Sequence, residues 1–167
     1  ETQAALFLRA CGYKGEEPVL DPMCGSGTFV IEAAEIAAGL APGRGRSFAF
    51  EQFATVVRVV WEEMKQRSKP SDSTFAGRFT GFDQDAGAVE MATANADRAG
   101  VGPLIRFSQQ GVHRLTRPEG PPGLVMVNPP YGARIGDVAA LRTVYRTLGT
   151  RLKTEFSGWR VGLVTSE

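Results

Sequence analysis

Gly123-Leu124-Val125-Met126-Val127-Asn128-Pro129-Pro130-Tyr131 runs from an unbroken apolar stretch into a double-proline turn. An apolar run of this length, bounded by turn residues, is what a strand buried in a parallel sheet shows. The prolines end the ladder, because neither donates a backbone N–H and each fixes φ at about −65°. The outcome is a rigid corner at the carboxyl end of a strand, where open α/β sheets bind their ligands. It carries an amide, free carbonyls and an aromatic ring. An amide beside an aromatic face suits a flat molecule bearing an N–H₂ group.

Outward from this corner, short apolar runs alternate with segments of helical period, the pattern of a parallel α/β sheet. Thr2 to Cys11 reads as an opening helix, Pro18 to Asp21 as a first strand, and Thr28 to Ala38 as an Ala-rich helix. Gly39 to Gly45 is loop. Glu51 to Lys69 is expected to be one long helix, with Phe53, Val56, Val57, Val60, Trp61 and Met64 at helical spacing, closed by a polar linker from Pro70 to Gly77. Phe79 to Asp83 is a second strand, Asp85 to Ala99 a helix stopped by Gly100, and Leu104 to Ser108 a third strand. Leu124 to Asn128 is the fourth. A helix from Asp137, a plausible N-cap, to Glu155 carries Leu141, Tyr145, Leu148 and Leu152 as an apolar stripe, and Trp159 to Thr165 is a fifth strand.

The chain has 167 residues, enough for one domain with a substantial core. Lys and Arg total 19 against 18 for Asp and Glu, a net charge of +1 that lacks the basic excess of a self-sufficient nucleic-acid binder. Two cysteines, Cys11 and Cys24, form no disulfide framework. No apolar run is long enough for a membrane span, and the first residues have no signal-peptide layout. The expectation is a soluble, cytoplasmic, monomeric domain with no metal and no membrane partner.

Asp21-Pro22-Met23-Cys24-Gly25-Ser26-Gly27-Thr28 joins the first strand to the first helix. Its glycines permit close approach, and a helix N-terminus offers N–H groups to an anion. An ordinary strand-to-helix turn is the bland alternative. A dinucleotide fingerprint is a poor match, since Val30 stands where a third glycine would be. Asp83, at the end of the second strand, has the chemistry to hold a ribose diol or to cap the next helix, a cap that Asp85 could also supply.

Taken together, Asp21 to Thr28, Gly81-Phe82-Asp83 and Asn128-Pro129-Pro130-Tyr131-Gly132 resemble a class I S-adenosylmethionine-dependent methyltransferase acting on exocyclic amines. The first motif is similar to the RNA guanine-N2 methyltransferases that follow a THUMP domain, the bacterial 23S rRNA methyltransferase L group (UPF0020-type) among them. Ile31-Glu32-Ala33-Ala34, Ala41-Pro42-Gly43, Asn95, Ala99-Gly100 and Gly158-Trp159 extend the likeness over nearly the whole chain. It implies a Rossmann-like α/β fold with an open, mostly parallel sheet flanked by helices. Residues 1–167 would be a catalytic domain with an insertion at 39–78. An N-terminal RNA-binding domain and the last strands would be absent from it.

The resemblance implies S-adenosylmethionine as cofactor and RNA, ribosomal RNA in particular, as substrate. It assigns the cofactor to Asp21, Pro22, Met23, Gly25, Ser26, Gly27, Thr28, Asp83, Gln84, Val112 and Asn128, and catalysis to Asn128, Pro129, Pro130 and Tyr131. One departure is Gly111, which stands where such enzymes often carry an acid for the adenine amine. The Val112 N–H or His113 is left to meet the ring.

An aromatic amine is a poor nucleophile because its lone pair is delocalised. Acceptors on its two hydrogens favour a pyramidal nitrogen, and the Asn128 oxygen and Pro129 carbonyl can supply them, with Tyr131 stacked on the base. The base must be single-stranded or flipped. Cys24 lies in the glycine turn and reads as a small packed residue rather than a nucleophile. Arg44, Arg46, Arg58, Lys65, Arg67, Lys69 and Arg78, with Arg142, Arg146 and Arg151 farther on, are candidates for RNA phosphate contact. Adenine N6, a protein glutamine, or an inactive cofactor- and RNA-binding module are the rival readings.

Overall fold

Val19–Asp21 forms the shortest strand of the sheet and occupies its centre. The computed structural model describes residues 2–66, 78–130 and 138–165. In chain order these form α1 (Thr2–Ala10), β1 (Val19–Asp21), α2 (Thr28–Ala37), α3 (Arg58–Gln66) and β2 (Phe79–Asp83). There follow α4 (Ala86–Ala99), β3 (Ile105–Gln109), β4 (Leu124–Val127), α5 (Val138–Glu155) and β5 (Arg160–Leu163). Short 3-10 turns stand at Ala49–Gln52, Gly102–Leu104 and Val112–Arg114.

The sheet has five strands in the order β3-β2-β1-β4-β5, and every pairing is parallel. Val19 lies opposite Phe79 of β2 on one side and Leu124 of β4 on the other. The winding therefore reverses between β1 and β4, and the carboxyl ends of these two strands flank the crevice where such sheets bind ligands.

Alternation along the strands divides the core between two faces. Val19, Phe79, Leu124 and Met126 pack with Leu8 of α1, Val30, Ala33 and Ala34 of α2, and Ala96 of α4. Leu20, Val125 and Val127 pack on the opposite side with Leu115, Leu148 of α5, Phe156 and Trp159. Each such fully buried aliphatic side chain contributes about 1.5–3 kcal/mol. The alanines of α2 and α4 have no bulk to hold the helices away from the strands. Gly81 serves the same end, since a Cβ there would stand 2.5 Å from the Phe107 ring.

The helix limits follow from local chemistry. Asp85 caps α4 by accepting from the Gly87 N–H at 2.8 Å, and Gly100 ends it in the left-handed region at φ 74°. Strands β3 and β5 each begin one residue later than expected, after a 3-10 turn and after the Trp159 N–H bond to the Phe156 carbonyl.

The insertion differs from its expected single helix. Residues Ala49–Gln52 form a 3-10 turn, and α3 starts only at Arg58. Two features act against helix there. Thr55, Val56 and Val57 are a β-branched run, and Phe48 and Phe50 fold back edge-on against Trp61 at 5.8 and 4.9 Å. Phe53, Val57, Val60 and Met64, expected as one apolar face, are all more than half exposed. The expected linker from Pro70 to Gly77, the helix end at Lys69 and the cap at Asp137 lie outside the described residues.

Candidate active site

Asp21, the last residue of β1, is 2% exposed, and its Oδ1 accepts from the Met23 N–H at 3.0 Å. The chain then turns across the end of β2, where the Cys24 N–H donates to the Phe82 carbonyl at 2.8 Å. Asp83 clasps two loops: Oδ2 accepts from the Gly25 N–H at 2.9 Å and Oδ1 from the Asp85 N–H at 3.0 Å. Each carboxylate oxygen has a second lone pair left for a ligand. Because Asp85 caps α4, Asp83 is not the cap, and the second of its two sequence alternatives falls away.

Gly27 stands at φ 83° as the N-cap of α2, which no side chain caps, so the first-turn N–H groups of α2 face an open approach. A Cβ on Gly27 would meet Phe107 at 3.0 Å and Ala92 at 3.1 Å, whereas one on Gly25 would meet nothing within 4 Å. Pro22 is buried and Met23 half-buried at the start of this turn. Two braces hold it. Asn95 of α4 donates its Nδ2 to the Ser26 carbonyl at 2.9 Å, and the Ser26 and Thr28 hydroxyls lie 3.1 Å apart.

Burial pushes the Asp21 carboxyl up to about 7, against the lowering effect of the Met23 bond and with Asp83 adding repulsion. The same burial, with Asp21 and Asp83 nearby, pushes the Cys24 thiol up to about 12. Cys24 is therefore a neutral, packed side chain. Asp21 is the opposite of a salt-bridged acid, since folding raises its pKa. Its stabilising contribution is complete below the unfolded value of about 4 and is lost as pH rises through about 7. Asp21→Asn keeps an oxygen for the Met23 N–H. It is expected to melt about 5 °C above the native chain at pH 8 and to converge with it at pH 4, as thermal unfolding at the two pH values will show.

At the end of β4, Val127 is buried, and its carbonyl accepts from the Val164 N–H at 2.9 Å. Asn128 is exposed, Pro129 buried and Pro130 half-buried. No described residue hydrogen-bonds the Asn128 amide. The Tyr145 hydroxyl of α5 donates to the Pro130 carbonyl at 3.4 Å. Tyr131 lies outside the described residues. The β1–α2 turn, Asp83 and Asn128 thus stand at the carboxyl ends of three neighbouring strands, β1, β2 and β4.

On the far side, Gln84 is exposed, and its carbonyl accepts from Gln109 Nε2 at 3.0 Å. The Gln110 N–H donates to the Asp83 carbonyl at 2.7 Å. Gly111 caps the following 3-10 turn, and Val112 packs against the Leu20 cluster. A Cβ on Gly111 would lie 2.9 Å from both Nδ1 and Cε1 of His113.

Several candidate RNA-contacting cations have internal partners. Arg44 pairs with Glu35 at 2.7 Å, Lys65 with Glu62 at 2.7 Å, and Arg151 with Glu155 at 3.3 Å. Arg46 lies over the Phe48 ring at 4.6 Å, and Arg78 donates to the Glu16 carbonyl at 3.1 Å. Arg58, Arg142 and Arg146 are exposed, and Arg67 and Lys69 lie outside the described residues. Among the described residues no His, Cys, Asp and Glu side chains group as a metal site, and no helix is long and apolar enough to cross a membrane.

Sequence reading missed the work of Asn95 and Tyr145. Asn95 carried a signal, a polar amide on the face of a helix that otherwise packs alanines. Tyr145 was hidden, because its ring fits the apolar stripe of α5 and only the fold brings its hydroxyl to the proline corner.

Comparison with known proteins agrees with this geometry. The ribosomal RNA large subunit methyltransferase K/L of Vibrio campbellii is 40% identical over 172 residues, covering 99% of this chain and 24% of its own length. The Vibrio parahaemolyticus protein of the same name is also 40% identical. The chain spans about a quarter of the length of these curated relatives. Among solved structures, a Listeria monocytogenes protein named a predicted N6-adenine-specific DNA methylase superimposes with a TM-score of 0.87 at 37% identity, covering 99% of this chain and 43% of that one. SMU.472, solved in complex with SAH, superimposes with a TM-score of 0.83 at 31% identity, covering 94% and 41%. The RMKL-like methyltransferase domain family, UPF0020, matches residues 1–167, and the chain belongs to it.

Proposed function

We propose that this domain binds S-adenosylmethionine and methylates the exocyclic N2 amine of a guanosine in 23S ribosomal RNA. The observation that carries the reading is Asn128, exposed and unbonded by any described residue, on a proline-stiffened corner next to the β1–α2 turn.

The turn fits the cofactor. A buried carboxyl at Asp21 with Asp83 close by suits a ligand that brings an ammonium group. The uncapped start of α2 suits that ligand's carboxylate, and the remaining lone pairs of Asp83 suit a ribose diol. Pro22 and Met23 line the approach, Gly25 leaves it open, and Gln84 and Val112 border the side where the adenine would lie. When bound, the group supplies an electrophilic methyl on a sulfonium. The Asn128 side-chain oxygen and the Pro129 carbonyl accept the two hydrogens of the target amine, aim its lone pair and hold it while the proton departs to solvent. Alignment by this rigid corner supplies most of the acceleration.

Tyr145 holds the same corner from α5. Tyr145→Phe, which keeps the ring, is expected to lower kcat about three- to tenfold with the cofactor Kd unchanged, the size of one hydrogen bond. Single-turnover kinetics beside calorimetry checks both halves of that statement.

Adenine N6 is the second reading, favoured by the name of the Listeria relative. One experiment separates the two: labelled methyl transfer into 23S rRNA and into duplex DNA, followed by nucleoside analysis. N2-methylguanosine from RNA supports the proposal. Label found only in N6-methyladenine sinks it.

A further inference from the structure

The corner between β3 and α5 places an imidazole where a binding pocket for a purine edge would need an acceptor. Asp83 and the start of this corner are joined directly, since the Gln110 N–H donates to the Asp83 carbonyl at 2.7 Å. In the sheet order β3 lies beside β2 on the side away from β1. A base attached to a ribose at Asp83, with its amino-acid end at the β1–α2 turn, must therefore extend over residues 110–113.

An adenine presents an amine donor along its edge, and this corner offers few side chains to receive it. Gly111 has none, and Val112 is apolar. The amide of Gln109 is already committed through Nε2 to the Gln84 carbonyl. His113 is exposed, and its ring edge occupies the volume a side chain at 111 would take, with Nδ1 2.9 Å from the position of the missing Cβ. Any larger residue at 111 would displace the ring, so glycine there and histidine two residues on form one arrangement. The backbone beneath the ring is held as well, because Arg151 of α5 donates to the His113 carbonyl and is itself paired with Glu155.

We propose that the His113 imidazole accepts a hydrogen bond from the exocyclic amine of the cofactor's adenine and sets this chain's preference for that base. The proposal rests on the reading of the β1–α2 turn and Asp83 as an S-adenosylmethionine site. A neutral imidazole has one nitrogen acceptor, which the amine approaches in the ring plane, while Val112 beneath supplies apolar contact to the base.

The test is calorimetric and needs no RNA. S-adenosylhomocysteine and its analogue with hydrogen in place of the adenine amine are titrated into the native chain, His113→Phe and His113→Gln, with thermal unfolding as the fold control. The native chain is expected to bind the amine-bearing ligand about three- to tenfold more tightly, the value of one hydrogen bond. His113→Phe keeps ring bulk without an acceptor and is expected to bind both ligands alike, whereas His113→Gln restores an acceptor and the preference. A preference that survives in His113→Phe overturns this proposal and leaves the cofactor site standing. Failure of the native chain to bind either ligand overturns the cofactor site and this proposal with it.

Discussion

Asn128→Ala is expected to lower kcat for methyl transfer by about 10²–10³-fold, as removal of one preorganised polar group from a reacting centre does. The cofactor Kd and the melting temperature should stay close to native, because Asn128 is exposed and no described residue depends on its amide. The contrast between lost turnover and retained binding is the diagnostic part. Asn128→Asp sharpens it, since the substitution keeps an acceptor and adds a charge. A variant that retains half the native rate would mean that the corner is structural and that the amine is held elsewhere.

Asp83→Ala should act on the other half of the site and much more broadly. Its two oxygens receive the Gly25 and Asp85 N–H groups, so removal leaves two loops without their shared anchor as well as losing a ligand contact. Hydrogen bonds to a charged group are worth about 1.5–3 kcal/mol each, so cofactor affinity should fall by about 100-fold or more. Thermal stability should drop as well, by about 1–3 kcal/mol. Asp83→Asn, with one acceptor oxygen, should lie between the two. Calorimetric titration with S-adenosylhomocysteine and parallel melts read out both effects, and an Asp83→Ala protein that binds like native would refute the assignment.

The strands and the two ligand-facing turns were legible because their signals are local. Val19 to Asp21 and Leu124 to Val127 are short apolar runs ended by glycine and proline, and Asp85 and Gly100 mark the ends of α4 by side-chain and backbone chemistry alone. The insertion was not legible to the same degree. Helical spacing of Phe53, Val57, Val60 and Met64 reports a period, and a period does not say where a helix begins or whether anything covers it. There the aromatic packing of Phe48, Phe50 and Trp61 and the β-branched run decided the local structure.

At the site, residue identities were readable but their division of labour was not. Asp83 had two plausible roles in the sequence, and the Asp85 bond to the Gly87 N–H separated them. The Tyr145 hydroxyl and the His113 ring act across loops and helices far from them in sequence, which no local pattern encodes.

The central position of β1 has a consequence for how the protein matures. Each of its partners is remote in sequence: β2 arrives only after the whole insertion, and β4 only after α4 and β3 have been laid down. Domains dominated by such non-local pairing fold slowly, on the order of milliseconds to seconds, because loop closure precedes any reward from contact. The two walls of the crevice come from opposite flanks of the same short strand. No partly folded chain presents both, so an intermediate lacking β4 has no corner with which to modify a nucleic acid by mistake.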